Sequence, residues 1–296
     1  MRLCVFNPEH DLCLAKGRWN YVPPRSAVDF ARRDASLMQV LYPDALCCSV
    51  YDLTERLSAF HFPLSSVTAW GWDAVVKHEL LKRGVPEALL PSDETINAIR
   101  ELQHRSTVLP LQPDCREVHS VEEMESMLRE HEHWVMKAPW SGAGRGLRWV
   151  HGSLTSIDRD WLVKTVASQR CVIAEPRREV IADVALEYMD GRFFGYSYFK
   201  TGSGVYKENI AVSDAEIECL FPVLAARQQV EPWLAVNVWP RYCGPLGVDL
   251  MVCTDGSVHV AEINFRHTMG MVAHEKKSIK NYDFLGSYTS CSGTLC

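Results

Sequence analysis

The sequence predicts a mixed α/β protein, with a small parallel α/β domain followed by a larger C-terminal part of α+β character. Over about the first 94 residues, short apolar runs alternate with helical patterns, which is typical of a parallel sheet. Near residue 140, a strand containing a lysine leads into a glycine-rich segment. Further on, two Asp-Gly pairs, at 190–191 and 255–256, separate β-branched apolar runs, and this pattern favours antiparallel hairpins.

The composition is that of a soluble globular protein large enough for two or three domains. Its 296 residues are 47% hydrophobic and 23% charged, and the net charge of −6 offers no basic surface for nucleic acid or anionic membranes. No apolar run approaches the roughly 20 residues of a membrane helix, and Met1 leads directly into a strand. The eleven cysteines include no Cys-x-x-Cys spacing, so we expect reduced thiols in a cytoplasmic protein.

The N-terminal domain is predicted to contain strands at 3–6, 45–50 and 67–70. A helix capped by Ser26 should run to Leu41, because apolar residues recur at helical spacing until Tyr42-Pro43. Asp73 should cap a second helix, which ends at Lys82-Arg83-Gly84.

A polar run follows the first predicted strand, at the edge where α/β sheets bind ligands. Its side chains Asn7, Glu9 and His10, with Asp11 beside them, are therefore candidate substrate-binding residues. The alternative interpretation is a simple turn built on Asn7-Pro8.

The middle of the chain contains the lysine strand and its glycine-rich segment. After a helix at 94–103 and a capping box at Ser120–Glu123, the strand Trp134–Lys137 runs into Ser141–Gly146. Neither the P-loop pattern nor G-x-G-x-x-G is present. Such a segment can place backbone N–H groups over phosphates with Lys137 as a nearby cation, although a surface loop is the simpler alternative.

The C-terminal part is predicted to start with a strand at 171–175. A hairpin then pairs 181–189 with 192–199, and the polar residues 206–209 should form a loop. The helical pattern of 213–229 should be broken at Pro222.

The last hairpin carries two carboxylates and an amide. With a two-residue turn at Asp255-Gly256, Asp249 lies opposite Glu262, and Asn264 shares their face. Directly opposed side chains are about 5 Å apart, so the two acids repel each other unless a cation lies between them. Their oxygens suit Mg²⁺; the alternative is a solvated acidic face.

Four sequence elements, taken in their order along the chain, resemble the ATP-grasp superfamily over about residues 95–285. They are Val135–Pro139 with Ser141–Gly146, then Ile173–Pro176, then Gly247–Asp249, and finally Glu262–Asn264. The resemblance implies that ATP lies between two antiparallel sheets. One lobe would span 95–170 and the other 171–290, after an N-terminal domain of 1–94.

The resemblance also implies roles for individual residues. ATP would be bound by Arg105, Lys137, Ser141, Gly142, Gly144, Arg145, Gly146, Glu175 and Asp183. One or two Mg²⁺ ions, with Mn²⁺ as an alternative, would be held by Asp249, Glu262 and Asn264. Lys207 would approach the γ-phosphate. Several related ligases have an arginine two residues before the first metal aspartate; this position is Gly247 here, so Arg266 or Arg241 would have to replace it.

The implied activity is an ATP- and Mg²⁺-dependent ligase that joins a small carboxylate to an amine through an acyl phosphate. A kinase of the same fold is one alternative. A non-catalytic ATP-binding regulatory module, favoured by the glycine at 247, is another. We expect no nucleic-acid or membrane partner, and a homodimer is compatible with the sequence.

Overall fold

The computed structural model of the protein describes residues 1–53, 63–142, 146–202, 205–213, 215–217 and 222–279. Within these residues the chain forms one parallel and two antiparallel sheets, which agrees with the predicted fold class. The parallel sheet has the order β2-β1-β3. Its strands are β1 (Arg2–Phe6), β2 (Leu46–Ser49) and β3 (Ser66–Ala69).

Helices surround this small sheet: α1 (His10–Lys16), α2 (Arg25–Arg33), α3 (Leu37–Leu41) and α4 (Ala74–Lys82). Asp73 caps α4 by accepting hydrogen bonds from the N–H groups of Val75 and Val76, as predicted. The single helix predicted from Ser26 to Leu41 is wrong. Two short helices occur instead, because the backbone leaves helical geometry at Asp34 (φ −108°, ψ 16°) and becomes helical again after Ser36. Pro24 rather than Ser26 precedes the first helix.

The first antiparallel sheet has the order β4-β7-β5-β6. Its strands are β4 (Arg116–Val118), β5 (His133–Lys137), β6 (Leu147–His151) and β7 (Val172–Pro176), and its helices are α5 (Asp93–Leu102), α6 (Val121–Glu130) and α7 (Ser156–Gln169). Ser120 caps α6 as predicted, but the Glu123 carboxylate accepts from His119 N–H instead of closing the predicted capping box. Because β7 belongs to this sheet, the sheet extends beyond residue 170; the predicted lobe boundaries remain a prediction.

The second antiparallel sheet has the order β10-β9-β8-β11-β12. Its strands are β8 (Val180–Met189), β9 (Arg192–Gly202), β10 (Val205–Val212), β11 (Pro245–Cys253) and β12 (Val258–Asn264), with helices α8 (Val223–Asn237) and α9 (Met269–Ile279). The predicted turn at Asp190-Gly191 is confirmed, because Met189 pairs with Arg192 and both turn residues have positive φ.

One local prediction in this part of the chain is wrong, and another is partly confirmed. Residues 206–209 lie within β10, where pairing with β9 outweighs their polar character, and an edge strand tolerates polar residues. The helical pattern predicted for 213–229 is partly confirmed: residues 215–217 are helical and the interruption falls at Pro222 as predicted, but the helix ends later than predicted. Pro222 directly precedes α8, which continues to Asn237, and residues 218–221 lie outside the described part of the chain.

The core beneath the five-stranded sheet determines which side chains face the opposite side. Val184, Leu186 and Leu250 pack in one cluster with Val230 and Leu234 of α8. Since side chains alternate along a strand, the intervening residues Asp183, Ala185, Glu187 and Asp249 project from the other face. In the described residues, no helix has the length and hydrophobicity needed to cross a bilayer.

Candidate active site

The acid hairpin brings its three polar side chains together. Asp249 pairs directly with Glu262, as predicted, and the Asn264 amide nitrogen donates to Asp249 Oδ2 at 2.9 Å. The predicted two-residue turn is wrong, however, because Cys253 N–H donates to Ser257 O and leaves three residues, 254–256, in the loop. A β-bulge at Ala261 shifts the register back by one residue, so the two differences cancel at Asp249.

The turn differs for a local chemical reason. The Asp255 carboxylate accepts hydrogen bonds from the N–H and hydroxyl of Ser257, and Gly256 has a φ of +80°. An aspartate that bonds to the backbone two residues later, followed by a left-handed glycine, is typical of a three-residue hairpin loop.

Electrostatic repulsion in the acid hairpin disfavours the ionised form of Asp249. Burial raises the pKa of Asp249 well above its ordinary value, and the carboxylates of Glu262 and Glu187 raise it further, while Arg266 opposes them. Two adjacent carboxylates and an amide oxygen match the ligands that Mg²⁺ prefers. The donor set and its need for positive charge therefore fit a bound magnesium ion.

Arg105 connects the acid hairpin to the glycine segment. Its guanidinium donates to Ala138 O and to Ser141 Oγ, both at 2.6 Å, and forms an ion pair with Glu262. Gly146, with a φ of +74°, closes the segment by accepting a hydrogen bond from Ala138 N at 2.8 Å. The predicted site residues Gly144 and Arg145 lie outside the described residues.

Lys137 and Glu175 form a buried ion pair between neighbouring strands. Lys137 Nζ lies 2.8 Å from Glu175 Oε2, and the two side chains are 10% and 5% exposed. Asp183 lies close enough for Lys137 to lower its pKa, although burial has the larger effect and raises it. Asp183 and Asp249 thus lie on the same face of the five-stranded sheet. Lys137 is close to Asp183, and Arg105 forms an ion pair with Glu262, the residue opposite Asp249.

Arg266 points to the N-terminal domain rather than to the surface. Its guanidinium donates to Asp11 Oδ2 at 3.2 Å. Burial favours the neutral form of Arg266, but Asp11, Glu262 and Asp249 outweigh it and raise the pKa. Gly142 approaches Asp11 so closely that a Cβ atom would collide with the carboxylate. Asp11 therefore joins Arg266 to the glycine segment.

Arg241 was the second candidate to replace the arginine that is missing at Gly247, and it lies at the surface. Arg241 pairs with Glu101, and both side chains are about half exposed or more. The backbone of Lys207 is the extra residue of a bulge in β10, between Tyr206 and Glu208.

The polar run after β1 contains one residue with a structural role and three residues that each have a buried polar atom without a hydrogen-bond partner in the described chain. Asn7 donates to Gly71 O and Asp73 Oδ2 and accepts from Gly71 N–H, which ties the ends of β1 and β3 together. By contrast, one atom each of Glu9, His10 and Asp11 is buried without a hydrogen-bond partner in the described chain. Burial raises the pKa of Glu9 to about 7, even though Tyr51 donates a hydrogen bond to it.

Sequence reasoning missed Glu187, which is fully buried on β8. It accepts hydrogen bonds from Ser197 and Thr268, and burial raises its pKa to about 7. Glu187 is paired with Gly247, where a Cβ would lie 2.6 Å from the Thr268 methyl group. No arginine fits there, which explains the glycine at this position. The signal was an acid in the otherwise apolar run Val184–Met189.

Replacing Glu187 with glutamine should stabilise the metal-free protein at neutral pH. The Glu187 carboxyl group has a pKa of about 7 in the folded protein and an ordinary value of 4.5. The folded protein therefore loses stability as the pH rises from 4.5 to 7. The neutral amide avoids this loss of up to roughly 3 kcal/mol. Urea unfolding in EDTA should show the variant more stable at pH 8 and equal to wild type below pH 4.5. Parallel pH profiles for the two proteins would contradict the buried-carboxyl assignment.

Comparison with solved structures identifies the fold. Neither a family model nor a curated protein sequence matches the chain. The D-cycloserine synthetase DcsG superimposes with a TM-score of 0.56 at 14% identity, covering 94% of this chain and 99% of that one. N5-carboxyaminoimidazole synthetase from Staphylococcus aureus, complexed with ADP, has a TM-score of 0.54 at 12% identity, covering 94% and 76%.

Biotin carboxylase from Campylobacter jejuni, in an ATP complex, has a TM-score of 0.56 at 11% identity, covering 95% of this chain and 68% of that one. These enzymes share one architecture. The chain has the ATP-grasp fold. The similarity covers 94–95% of this chain, so it is not confined to one of the three sheets.

A cavity of about 410 Å³ lies beside Arg266, between the end of β3 and the turn after β8. Five aromatic side chains line it together with charged and small residues: Tyr42, Trp70, Trp72, Tyr242 and Phe265. This volume is within the range of small-molecule sites.

Proposed function

We propose that this protein is an ATP- and Mg²⁺-dependent ligase that joins a carboxylate to an amine through an acyl phosphate. The observation that carries the proposal is that Arg105 contacts both the acid hairpin and the glycine segment in a chain with the ATP-grasp fold. Each of these elements supplies a part that phosphoryl transfer requires: metal ligands, fixed cations and backbone donors for phosphate oxygens.

The binding roles follow from position. Lys137, held by Glu175, would contact the α- and β-phosphates, and Asp183 would take the ribose hydroxyls. Asp249, Glu262 and Asn264 would hold Mg²⁺, which neutralises phosphate charge and aligns the transferred group. Lys207, whose side chain lies outside the described part of the structure, would contact the γ-phosphate.

The acceptor carboxylate would lie next to Arg266, the buried cation nearest the acid hairpin on the N-terminal side. An oxygen of the substrate carboxylate attacks the γ-phosphorus, the bond between this phosphorus and the β-phosphate oxygen breaks, and ADP leaves. An amine then attacks the acyl carbon, and inorganic phosphate is released. Arg266 would stabilise the negative charge that develops on the acyl oxygen, and the adjacent cavity would hold the body of a small substrate.

The N-terminal polar run would recognise the amine substrate. Glu9 and Asp11 each offer a buried carboxylate oxygen without a partner in the described chain, and His10 offers Nε2. These atoms lie at the carboxyl edge of a parallel sheet, the usual place for ligands in such domains. Asn7 would act indirectly, by holding this edge in place.

The test is ADP release that depends on both a carboxylate and an amine, measured with panels of amino acids and small acids. Hydroxylamine should trap the acyl phosphate as a hydroxamate and release ADP without the amine. A stable phosphorylated hydroxyl product would replace the ligase with a kinase. Tight Mg-ATP binding in calorimetry with no turnover across the panels would favour the non-catalytic module.

Replacing Arg266 with lysine should lower kcat for carboxylate-dependent ADP release by about 100-fold or more. Lysine keeps the charge beside Asp11 but lacks the fork geometry that binds carboxylate oxygens. ATP affinity, measured by calorimetry, should change little. Arg241→Lys, at a surface ion pair, is the control and should match wild type. Equal loss in both variants would remove Arg266 from its proposed role.

A further inference from the structure

A second cluster of potential metal ligands lies outside the ATP cleft, at the start of β5 and the end of β6. His133 directly opposes His151 in this strand pair, with their ring centroids 4.3 Å apart. The carboxylate of Glu132 lies 3.6 Å from His151 Nε2. One ligand atom from each of these three residues lies within 4.8 Å of the other two.

An independent observation marks the same place. His133 is only partly exposed, and its Nδ1 is buried without a hydrogen-bond partner in the described chain. A buried polar nitrogen without a partner is unfavourable. A metal ion bound to this ring would remove that cost.

We propose that Glu132, His133 and His151 form a zinc-binding site. Two imidazoles and one carboxylate are a known ligand set for Zn²⁺, with a water molecule in the fourth position. Nitrogen ligands favour zinc over Mg²⁺, which prefers oxygen, so this site and the acid hairpin select different ions.

Zinc binding requires the two imidazole rings to rotate out of their stacked arrangement, because a ring nitrogen binds a metal ion in the plane of its ring. Ligand atoms around a tetrahedral zinc ion lie about 3.4 Å apart, given Zn–N distances of about 2.0–2.1 Å. The His151 and Glu132 side chains are 66% and 73% exposed, so both are free to close the remaining distance by rotation.

The site would fasten one end of the strand pair that carries the glycine segment. His133 and His151 form the first pair of this ladder, and Lys137 with Leu147 forms the last, next to the segment itself. Since β6 is an edge strand with β5 as its one partner, a metal bridge at the open end would hold the two strands in register.

Calorimetric titration of the full-length protein with Zn²⁺, in excess Mg²⁺, tests the proposal. Wild type should bind one more equivalent than His151→Ala or His133→Ala, or bind it at least about tenfold more tightly. Zinc should also raise the melting temperature of wild type more than that of either variant. His119→Ala is the matched control. His119 Nε2 lies 3.4 Å from the Glu117 carboxylate, but among the described residues no third potential metal ligand completes that pair.

Equal zinc stoichiometry and affinity in wild type and in His151→Ala would overturn the proposal. So would an equal loss in His119→Ala, since it would show non-specific binding by surface histidines. Melting curves of the metal-free proteins check the fold. His151→Ala removes a largely exposed side chain, so its melting temperature without metal should equal that of wild type. A change in zinc binding in that variant then reports on the site.

Discussion

Replacing both Asp249 and Glu262 with alanine should reduce ADP release by about 1000-fold or more. Removing one preorganised electrostatic group costs about 10²–10³ in kcat in well-studied enzymes, and this variant would lose both carboxylate ligands of Mg²⁺. Arg105 would also lose its ion-pair partner. The measurement is ADP release at saturating ATP and Mg²⁺, together with Mg²⁺-dependent ATP binding.

In EDTA the same variant should be destabilised less than the loss of the Arg105–Glu262 ion pair would cause by itself. The pKa of Asp249 is raised by burial and by Glu262, so its ionised form opposes folding when no metal is bound. Asp255→Ala, at the tip of the same hairpin, is the control and should keep full activity, since Asp255 is exposed and bonds only to Ser257. Full turnover in the double variant would remove the metal assignment.

Replacing Lys137 with methionine should destabilise the protein by about 3–5 kcal/mol. Methionine fills a similar volume but leaves the buried Glu175 carboxylate without its cation, and breaking one partner of a buried pair has an effect of this size. ATP affinity should also fall, because Lys137 is the proposed contact for the α- and β-phosphates. Urea unfolding measures the first effect and calorimetry the second.

A second substitution separates stability from binding. The double variant Lys137→Met, Glu175→Gln removes the unpaired charge and should recover most of the lost stability, while its ATP affinity should remain low. If the double variant binds ATP as wild type does, Lys137 is a structural residue only. If the single variant is as stable as wild type, the ion pair does not form in solution.

The acid hairpin shows how local sequence signals succeed and fail. Alternating apolar residues and an Asp-Gly pair were enough to predict that Asp249 opposes Glu262, and the structure confirms this pairing. The turn itself was wrong, because Asp255 bonds to Ser257 and lengthens the loop, and a bulge at Ala261 restores the register. The hydrophobic face of the sheet requires this register whatever the turn does.

Other parts of the site depend on contacts between distant segments. Arg105 reaches Glu262 across 157 positions, and Arg266 reaches Asp11 across 255. The polar residues 206–209 are a strand because β9 pairs with them. The collision that excludes a side chain at Gly247 comes from Thr268, which folds back over the sheet. No local pattern contains this information.

By itself, the sequence determined the α/β class, the parallel and antiparallel sheets, the Lys137 strand and the opposed carboxylates. Those features depend on periodicity and turn chemistry, which act over a few residues. Only the tertiary structure decided which charges meet: Lys137 with Glu175, Arg105 with Glu262, and Arg266 with Asp11. The reason is physical, since a buried charge is stable only beside a partner, and the chain brings such partners together only when its sheets have assembled.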